Sequence, residues 1–217
     1  MADKVISFDL DGTIVQSEFG NKVWLEGLPK AYAQEKNIPY ETARSYLLAS
    51  YDRIGSDKKE WYDLSYWIKL LNLTITPIEL LQKYVDSIVL YPDAEDVIKS
   101  LSENYDLIIS SGAMKEFIEI ELSHTNLIDY FKYTFSSTTD MNIVKKDPLF
   151  YNMIAKTLNV ASNNITHVGD NEVYDYISPK KAGFSAFYLC RKYQLNKHYT
   201  VFSLFEFEDK MRDLSKL

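Results

Sequence analysis

Val5-Ile6-Ser7-Phe8-Asp9-Leu10-Asp11-Gly12-Thr13 joins a short apolar run to two carboxylates one residue apart. The run reads as a buried strand that delivers Asp9 and Asp11 to its C-terminal end. Gly12 lets the chain turn sharply there and bring backbone close to a ligand. Alternate side chains of a strand point to opposite faces, so Asp9 and Asp11 share a side as long as the extended geometry persists. They then converge on one small site. Two unneutralised carboxylates at that range repel and shift each other's pKa, and the pair calls for a cation or a shared proton. Asp-Gly alone is also a common turn dipeptide. The meaning of the stretch therefore depends on what the rest of the chain supplies.

The chain has 217 residues, 46% hydrophobic and 25% charged. Those proportions belong to a folded protein with a real core, built as one domain with an insertion or as two modest domains. Lys and Arg number 24 against 31 Asp and Glu, a net charge of -7, which argues against a general nucleic-acid-binding surface. Seventeen Tyr and three Trp provide amphipathic aromatic surface for packing and pocket walls. The one cysteine, Cys190, rules out an intramolecular disulfide and a Cys-based zinc site. It ends an apolar run and reads as a packed core thiol. No charged-then-apolar leader opens the sequence and no apolar run approaches a membrane span. A cytoplasmic location without membrane association is expected.

From Asn21 to about Leu90 the pattern is helical. Trp24, Leu25, Leu28, Ala31 and Tyr32 recur at helix spacing, although Pro29 should break or kink that segment. A second helix covers Glu41 to Tyr51, and a third runs from Lys58 to Leu71 with Trp61, Leu64, Ile68 and Leu71 as one stripe. A fourth opens at Thr76-Pro77-Ile78-Glu79, where Thr76 caps, Pro77 suits the first helical position and Glu79 completes a capping box. From Leu90 the rhythm changes to helices alternating with strands. The strands are Leu107-Ile109, Tyr133-Phe135, Ile165-Val168 and Ser185-Leu189. The helices are Asp93-Glu103, Lys115-Ser123, Pro148-Leu158, a segment carrying Asp175, and a last one opening at Ser203. Such alternation means an α/β domain with a mainly parallel sheet. Ligands bind beyond the carboxyl ends of such strands, where Asp9 and Asp11, Ser110 and Asp170 fall.

DLDGTIV at 9–15, IISSG at 108–112, KKDPLFY at 145–151 and VGDNEVYD at 168–175 follow in order along the whole chain. Together they resemble the four motifs of the haloacid dehalogenase-like (HAD) hydrolase superfamily. The stretch LYPDAEDVIKSLSENYDLIIS, from Leu90 to Ser110, resembles that family's lead-in to its second motif. The resemblance implies a Rossmann-like parallel-sheet core over 1–16 and 90–217, with an inserted all-helical cap over 17–89. It implies that Asp9 is a nucleophile forming an aspartyl-phosphate, and that Asp11 is the general acid and base. Dehalogenases of the superfamily lack an Asp at the second position, so phosphoryl chemistry is favoured. Ser110, with Ser111 beside it and Gly112 after it, resembles the second motif, and Lys145 the third. A hydroxyl, an ammonium and backbone N–H groups can hold phosphate oxygens. Ser110 is preferred because it directly follows the strand. Lys145 is preferred over Lys146 by aligning Asp147-Pro148 with the family's Lys-Pro-Asp-Pro. Asp170 and Asp175 match the fourth motif. The resemblance implies a Mg²⁺ held by the Asp9 carboxylate, the Asp11 backbone carbonyl and the Asp170 carboxylate, with Asp175 completing the metal site by orienting it.

Substrate choice is expected where cap meets core, with Arg44, Tyr51, Arg53, Lys58, Lys59 and Trp61 as cap residues of suitable chemistry; each taken singly reads as a solvated helix face. The Asp usual near Gln16 and the Gly usual after Pro92 are absent, which discourages a named subfamily. His124, His167 and His198 have no metal-ligand spacing, and His167 reads as a packed core residue. The expected activity is Mg²⁺-dependent hydrolysis of a small phosphate ester. A phosphomutase of β-phosphoglucomutase type is the close rival, and a non-catalytic phosphate-ligand binding protein the more distant one.

Overall fold

The computed structural model describes residues 4–193 and 197–214. Strand β1 (Val5–Phe8) leads to helices α1 (Glu18–Lys22), α2 (Leu28–Lys36), α3 (Tyr40–Ile54), α4 (Lys59–Tyr62), α5 (Leu64–Leu70) and α6 (Pro77–Gln82). The core resumes with α7 (Ala94–Ser102), β2 (Asp106–Ser111), α8 (Lys115–His124), β3 (Phe131–Ser136) and α9 (Pro148–Leu158). It closes with β4 (Ile165–Gly169), α10 (Ser178–Lys181), β5 (Ser185–Leu189), β6 (Thr200–Val201) and α11 (Leu204–Leu214). Among the described residues the strands form one parallel sheet in the order β3-β2-β1-β4-β5-β6. The order reverses direction between β1 and β4, the place where an open α/β sheet forms a ligand crevice at its carboxyl edge.

Both faces of the sheet are covered, so the central strands are buried along their whole length. Ile6, Phe8, Leu107 and Ile109 face one way and pack with α7, α8 and α11. Val5, Ile108, Phe135 and Ile165 face the other way and pack with α9 and Phe184. Leu204 and Phe207 of α11 are fully buried, whereas Phe205 turns to solvent. Cys190 is buried and free. No helix of the described residues is long and apolar enough to cross a membrane.

The helical cap is an excursion whose two ends are pinned together. Val15 and Leu90 form an antiparallel bridge, reinforced by Gln16 N–H donating to the Val89 carbonyl (2.8 Å) and Tyr91 N–H donating to the Ile14 carbonyl (2.9 Å). Within the cap the Thr76/Glu79 capping box forms as the sequence suggests. Two expectations hold only in part. The helix expected over Lys58–Leu71 is split at Asp63, whose carboxylate accepts from Tyr66 N–H and caps α5. An Asp at that place starts a helix more readily than it continues one. Pro29 does not break its segment. The helix runs on through it, but the regular α-helical ladder is interrupted just before it by a π-helical turn over Val23–Gly27, the kind of irregularity that accompanies a missing N–H, and the Trp24 carbonyl there accepts from Tyr51 Oη instead.

Candidate active site

The carboxyl ends of β1 and β4 lie side by side, Phe8 pairing with Val168. Asp9 and Asp170 each follow such an end directly. Gly12 turns the chain at φ +79°, and a Cβ there would lie 2.2 Å from Asp170 Oδ2. Glycine is therefore what lets the two loops close on each other. Gly169 does the same for Asp175, whose Cγ lies 2.4 Å from the position a Cβ would take. Asp175 is carried by a π-helical turn over Glu172–Ile177, opened by the Asn171 carboxamide oxygen, which accepts from Val173 and Tyr174 N–H. One carboxylate oxygen from each of Asp9, Asp170 and Asp175 falls within 4.8 Å of the others.

Lys146 sits among these acids. Its side chain is 7% exposed; its Nζ pairs with Asp9 and, at 2.5 Å, with Asp175 Oδ1. It also donates to the Ser110 carbonyl at 3.3 Å. Burial would lower this ammonium's pKa, but the Asp175 and Asp9 charges overcome burial and raise it. Lys145, the lysine preferred from sequence, is exposed on the wall of the cavity above. The reason is the helix start. Asp147 caps α9 by accepting from Phe150 N–H (3.1 Å), which sets the preceding residue, Lys146, pointing inward beneath the strands. The motif lysine in contact with Asp9 is Lys146.

The acids differ in state. Burial pushes Asp9 well above the usual carboxylate range, with Lys146 opposing and Asp175 and Asp170 adding to the rise. Asp11 is raised to about 6, by burial and then by the Asp170 charge. Asp170, exposed as a residue, is raised to about 6 by the partial desolvation of its carboxylate and then by the Asp175 charge. Burial would raise Asp175 too, but Lys146 and His167 reverse that and hold it well below the usual range. Four carboxylates thus share one buried ammonium, an imbalance that a hard divalent cation bound by oxygen ligands would correct. Asp9 and Asp170 offer oxygens for it. Asp175 already uses Oδ1 on Lys146 and His167 and Oδ2 on Asn171 N–H, the position of an orienting group.

His167, read from sequence as a packed core residue, is fully buried and also belongs to a polar chain under the site. Tyr151 Oη donates to the Tyr174 carbonyl (2.7 Å), so it accepts from His167 Nε2 (3.2 Å). The same Nε2–H faces Asp175 Oδ1 at 3.1 Å. Nδ1 is therefore the acceptor, and Ser7 Oγ donates to it at 2.8 Å. Ser7 in turn accepts from Ser110 Oγ at 2.7 Å. Burial lowers the His167 pKa, in keeping with a neutral ring carrying one proton. Ser110 Oγ thus faces Ser7 beneath the strand end, and Ser111 Oγ accepts from Ala113 N–H (3.0 Å) to shape the turn. Of the other phosphate-binding candidates, Gly112 lines the cavity together with both lysines. Sequence reasoning missed this chain. Its signal was a polar residue in each of two adjacent apolar strands, Ser7 and His167, which pair in register. Glu121 on α8 was also missed: it is fully buried without a hydrogen-bond partner among the described residues.

The family model for the haloacid dehalogenase-like hydrolases matches residues 4–183. The GMP/IMP nucleotidase YrfG of Shigella flexneri is 21% identical over 168 residues, covering 77% of this chain and 74% of its own length. A HAD phosphatase from Thermococcus onnurineus superposes with a TM-score of 0.81 at 26% identity, covering 96% of this chain and 97% of that one. The HAD-hydrolase YfnB of Bacillus subtilis, solved with magnesium bound, shares the fold with a TM-score of 0.66 at 20% identity over 96% of this chain and 98% of its own.

Proposed function

The chain belongs to the haloacid dehalogenase-like hydrolase family, and from that premise we propose that it is a Mg²⁺-dependent phosphatase acting on a small phosphorylated metabolite. One observation carries the reading. Asp9 leaves the end of β1 with a carboxylate oxygen within 4.8 Å of those of Asp170 and Asp175, is paired with Lys146, and has Asp11 two residues further on. Halide leaves without a proton, whereas the alkoxide leaving a phosphate ester needs one, and a second carboxyl at this place can give it.

Asp9 Oδ attacks phosphorus, and the bond from phosphorus to the ester oxygen breaks. Asp11 gives its proton to that leaving oxygen. Burial, the larger cause of the rise in the Asp11 pKa, favours the protonated form that this step needs. Water then attacks the aspartyl-phosphate, Asp11 takes the water's proton, and the bond from phosphorus to Asp9 breaks to free phosphate. Lys146 holds Asp9 in place and balances its charge, and Asp175 holds Lys146. Asp9 and Asp170 would hold the Mg²⁺, with the Asp11 carbonyl as the third protein ligand; when bound, the ion supplies neutralising charge to the phosphate oxygens. The helices over 17–89 act as the cap on a core of 1–16 and 90–217. Gly112 N–H, presented by the turn that Ser111 shapes, and the Lys145 ammonium on the cavity wall serve the phosphate, with Ser110 tied to Ser7 beneath the strand end.

The test is phosphate release over a panel of metabolite monoesters with Mg²⁺, comparing wild type with Asp9→Asn. The expected outcome is release by wild type from at least one ester and none by Asp9→Asn. Equal silence, or equal release, overturns the reading.

A further inference from the structure

Above Asp11 and Lys146, between cap and core, lies a cavity of about 370 Å³. Five of its fifteen lining residues carry rings: Trp24, Trp61 and Tyr62 from the cap, and Phe117 and Tyr174 from the core. These rings are held before any ligand arrives. Trp24 stacks on Phe117, centroids 6.0 Å apart and planes within 5°, and meets Tyr51 edge-on at 6.1 Å. Tyr51 Oη donates to the Trp24 carbonyl at 3.0 Å, fixing the turn that carries the indole. Trp61 packs on Tyr62 at 4.6 Å and on Tyr51 at 6.4 Å. Tyr62 Oη is spent on the Ser56 carbonyl at 3.2 Å. Tyr51 is thus the buttress for both indoles, and a ligand pays little ordering cost to use them.

The polar groups on the walls narrow the choice of ligand. Besides the indole N–H groups, the neutral hydrogen-bonding side chains on the walls are Ser17, Asn21, Tyr62 and Tyr174, and Tyr62 Oη already donates to the Ser56 carbonyl. They can meet the few hydroxyls of a linker but not those of a polyol filling the whole cavity. Aromatic walls can hold a cation, but Lys145 stands on this wall and Asp11 is the single acid that lines it. Lys145 forms no ion pair among the described residues. A positively charged alcohol part would have Asp11 alone as its counter-charge on this wall, and that carboxyl is already assigned to the leaving oxygen.

We propose that the alcohol part of the substrate carries a planar aromatic or heteroaromatic ring without positive charge, held against Trp61 and Trp24. The cavity is at the small end of ligand sites, on the order of 300–1,000 Å³, and suits one such ring system joined to the phosphate by a linker no larger than a pentose. The proposal rests on the phosphatase reading, since it sets the ester oxygen beside Asp11.

A nucleoside 5′-monophosphate and ribose 5-phosphate share their leaving oxygen and differ at one carbon, where the planar base takes the place of the anomeric hydroxyl. With Mg²⁺, kcat/KM should be at least roughly tenfold higher for the ester that carries the base, the scale of one ring stacked on an aromatic wall. Trp61→Ala should shrink that ratio. Equal efficiency for the two esters, or a ratio unchanged in Trp61→Ala, overturns the proposal. Binding separates this failure from failure of the chemistry. In Asp9→Asn, the intrinsic tryptophan fluorescence should be quenched by the nucleotide at concentrations where ribose 5-phosphate has no effect. Selective quenching in Asp9→Asn, together with no phosphate release by wild type from any ester, overturns the phosphatase reading and supports the aromatic site. Absence of selective quenching overturns the site, whatever the turnover.

Discussion

Replacing Lys146 by Met separates the two neighbouring lysines. Methionine keeps the length and most of the volume of the side chain, so loss of packing is a minor part of the effect. What is lost is the ammonium between Asp9 and Asp175, whose side chains are 8% and 1% exposed. Breaking a buried pair by removing one partner costs about 3–5 kcal/mol, because a charge is left buried and unpaired. Here two carboxylates lose the same partner, although Asp175 keeps His167 Nε2 and Asn171 N–H. In a chain of this size each kcal/mol moves the melting temperature by about 2–4 °C, so a fall of roughly 6–20 °C is expected. Lys145→Met removes an exposed ammonium with no ion pair among the described residues, and its stability should stay within about 0.5 kcal/mol of wild type. Thermal unfolding of both variants in EDTA measures this, and turnover in Mg²⁺ gives a second readout, with Lys146→Met losing kcat because Asp9 is no longer held. The reverse pattern, a stable and active Lys146→Met beside a destabilised and inactive Lys145→Met, would refute the placement of Lys146.

In the metal-free protein, stability should rise as the pH is lowered from 7.5 to 5. Asp11 and Asp170 are raised to about 6 in the fold, and Asp9 and Glu121 are raised as well, chiefly by burial. A raised carboxylate pKa means that the folded state binds the proton more tightly than the unfolded chain, whose value is about 4, so protonation favours the fold. His167, lowered by burial, acts in the opposite sense, but it is one group against four. The Asp175 contribution is lost only below the unfolded carboxylate value, outside this window. Melting temperatures in EDTA across the range check the sign, and a flat or falling profile toward pH 5 would contradict it. Adding Mg²⁺ should flatten the profile, because the cation takes the proton's place. His167→Phe should keep the ring's bulk while removing the donor to Asp175 and the acceptor for Ser7. The Mg²⁺ concentration for half-maximal activity should rise about 10- to 100-fold, as for other groups that orient metal ligands. An unchanged Mg²⁺ curve would show that the buried chain does not orient Asp175.

Features set by local chemistry could be read from sequence, and those set by contacts between distant segments could not. Pro148 starts α9 and Thr76-Glu79 boxes α6 because a cap depends on residues three or four apart. The alternation of apolar strands and amphipathic helices yields the parallel core for the same reason. Asp9, Asp11 and Asp170 announced themselves because each ends an apolar strand or follows it closely. The choice between Lys145 and Lys146 was of a different kind. Both precede the same cap, and a pattern match can slide by one residue at no local cost. Only the position of α9 against β1 and β4 decides which ammonium is buried. His167 lay hidden for a related reason. A histidine in a strand is an ordinary core residue until Ser7 is seen to pair with it in register, and register across strands 160 residues apart is a property of the fold. The aromatic cavity joins both kinds of information. Trp61 was visible as part of a helical stripe, but its contact with Tyr51, and through Tyr51 with Trp24, requires α3 and α4 to meet the π-helical turn over Val23–Gly27. The acids proposed to perform the chemistry were therefore legible because they sit at strand ends. The residues that hold them became legible from the packing of helix and strands within the core, and those proposed to choose the substrate from the packing of the cap on that core.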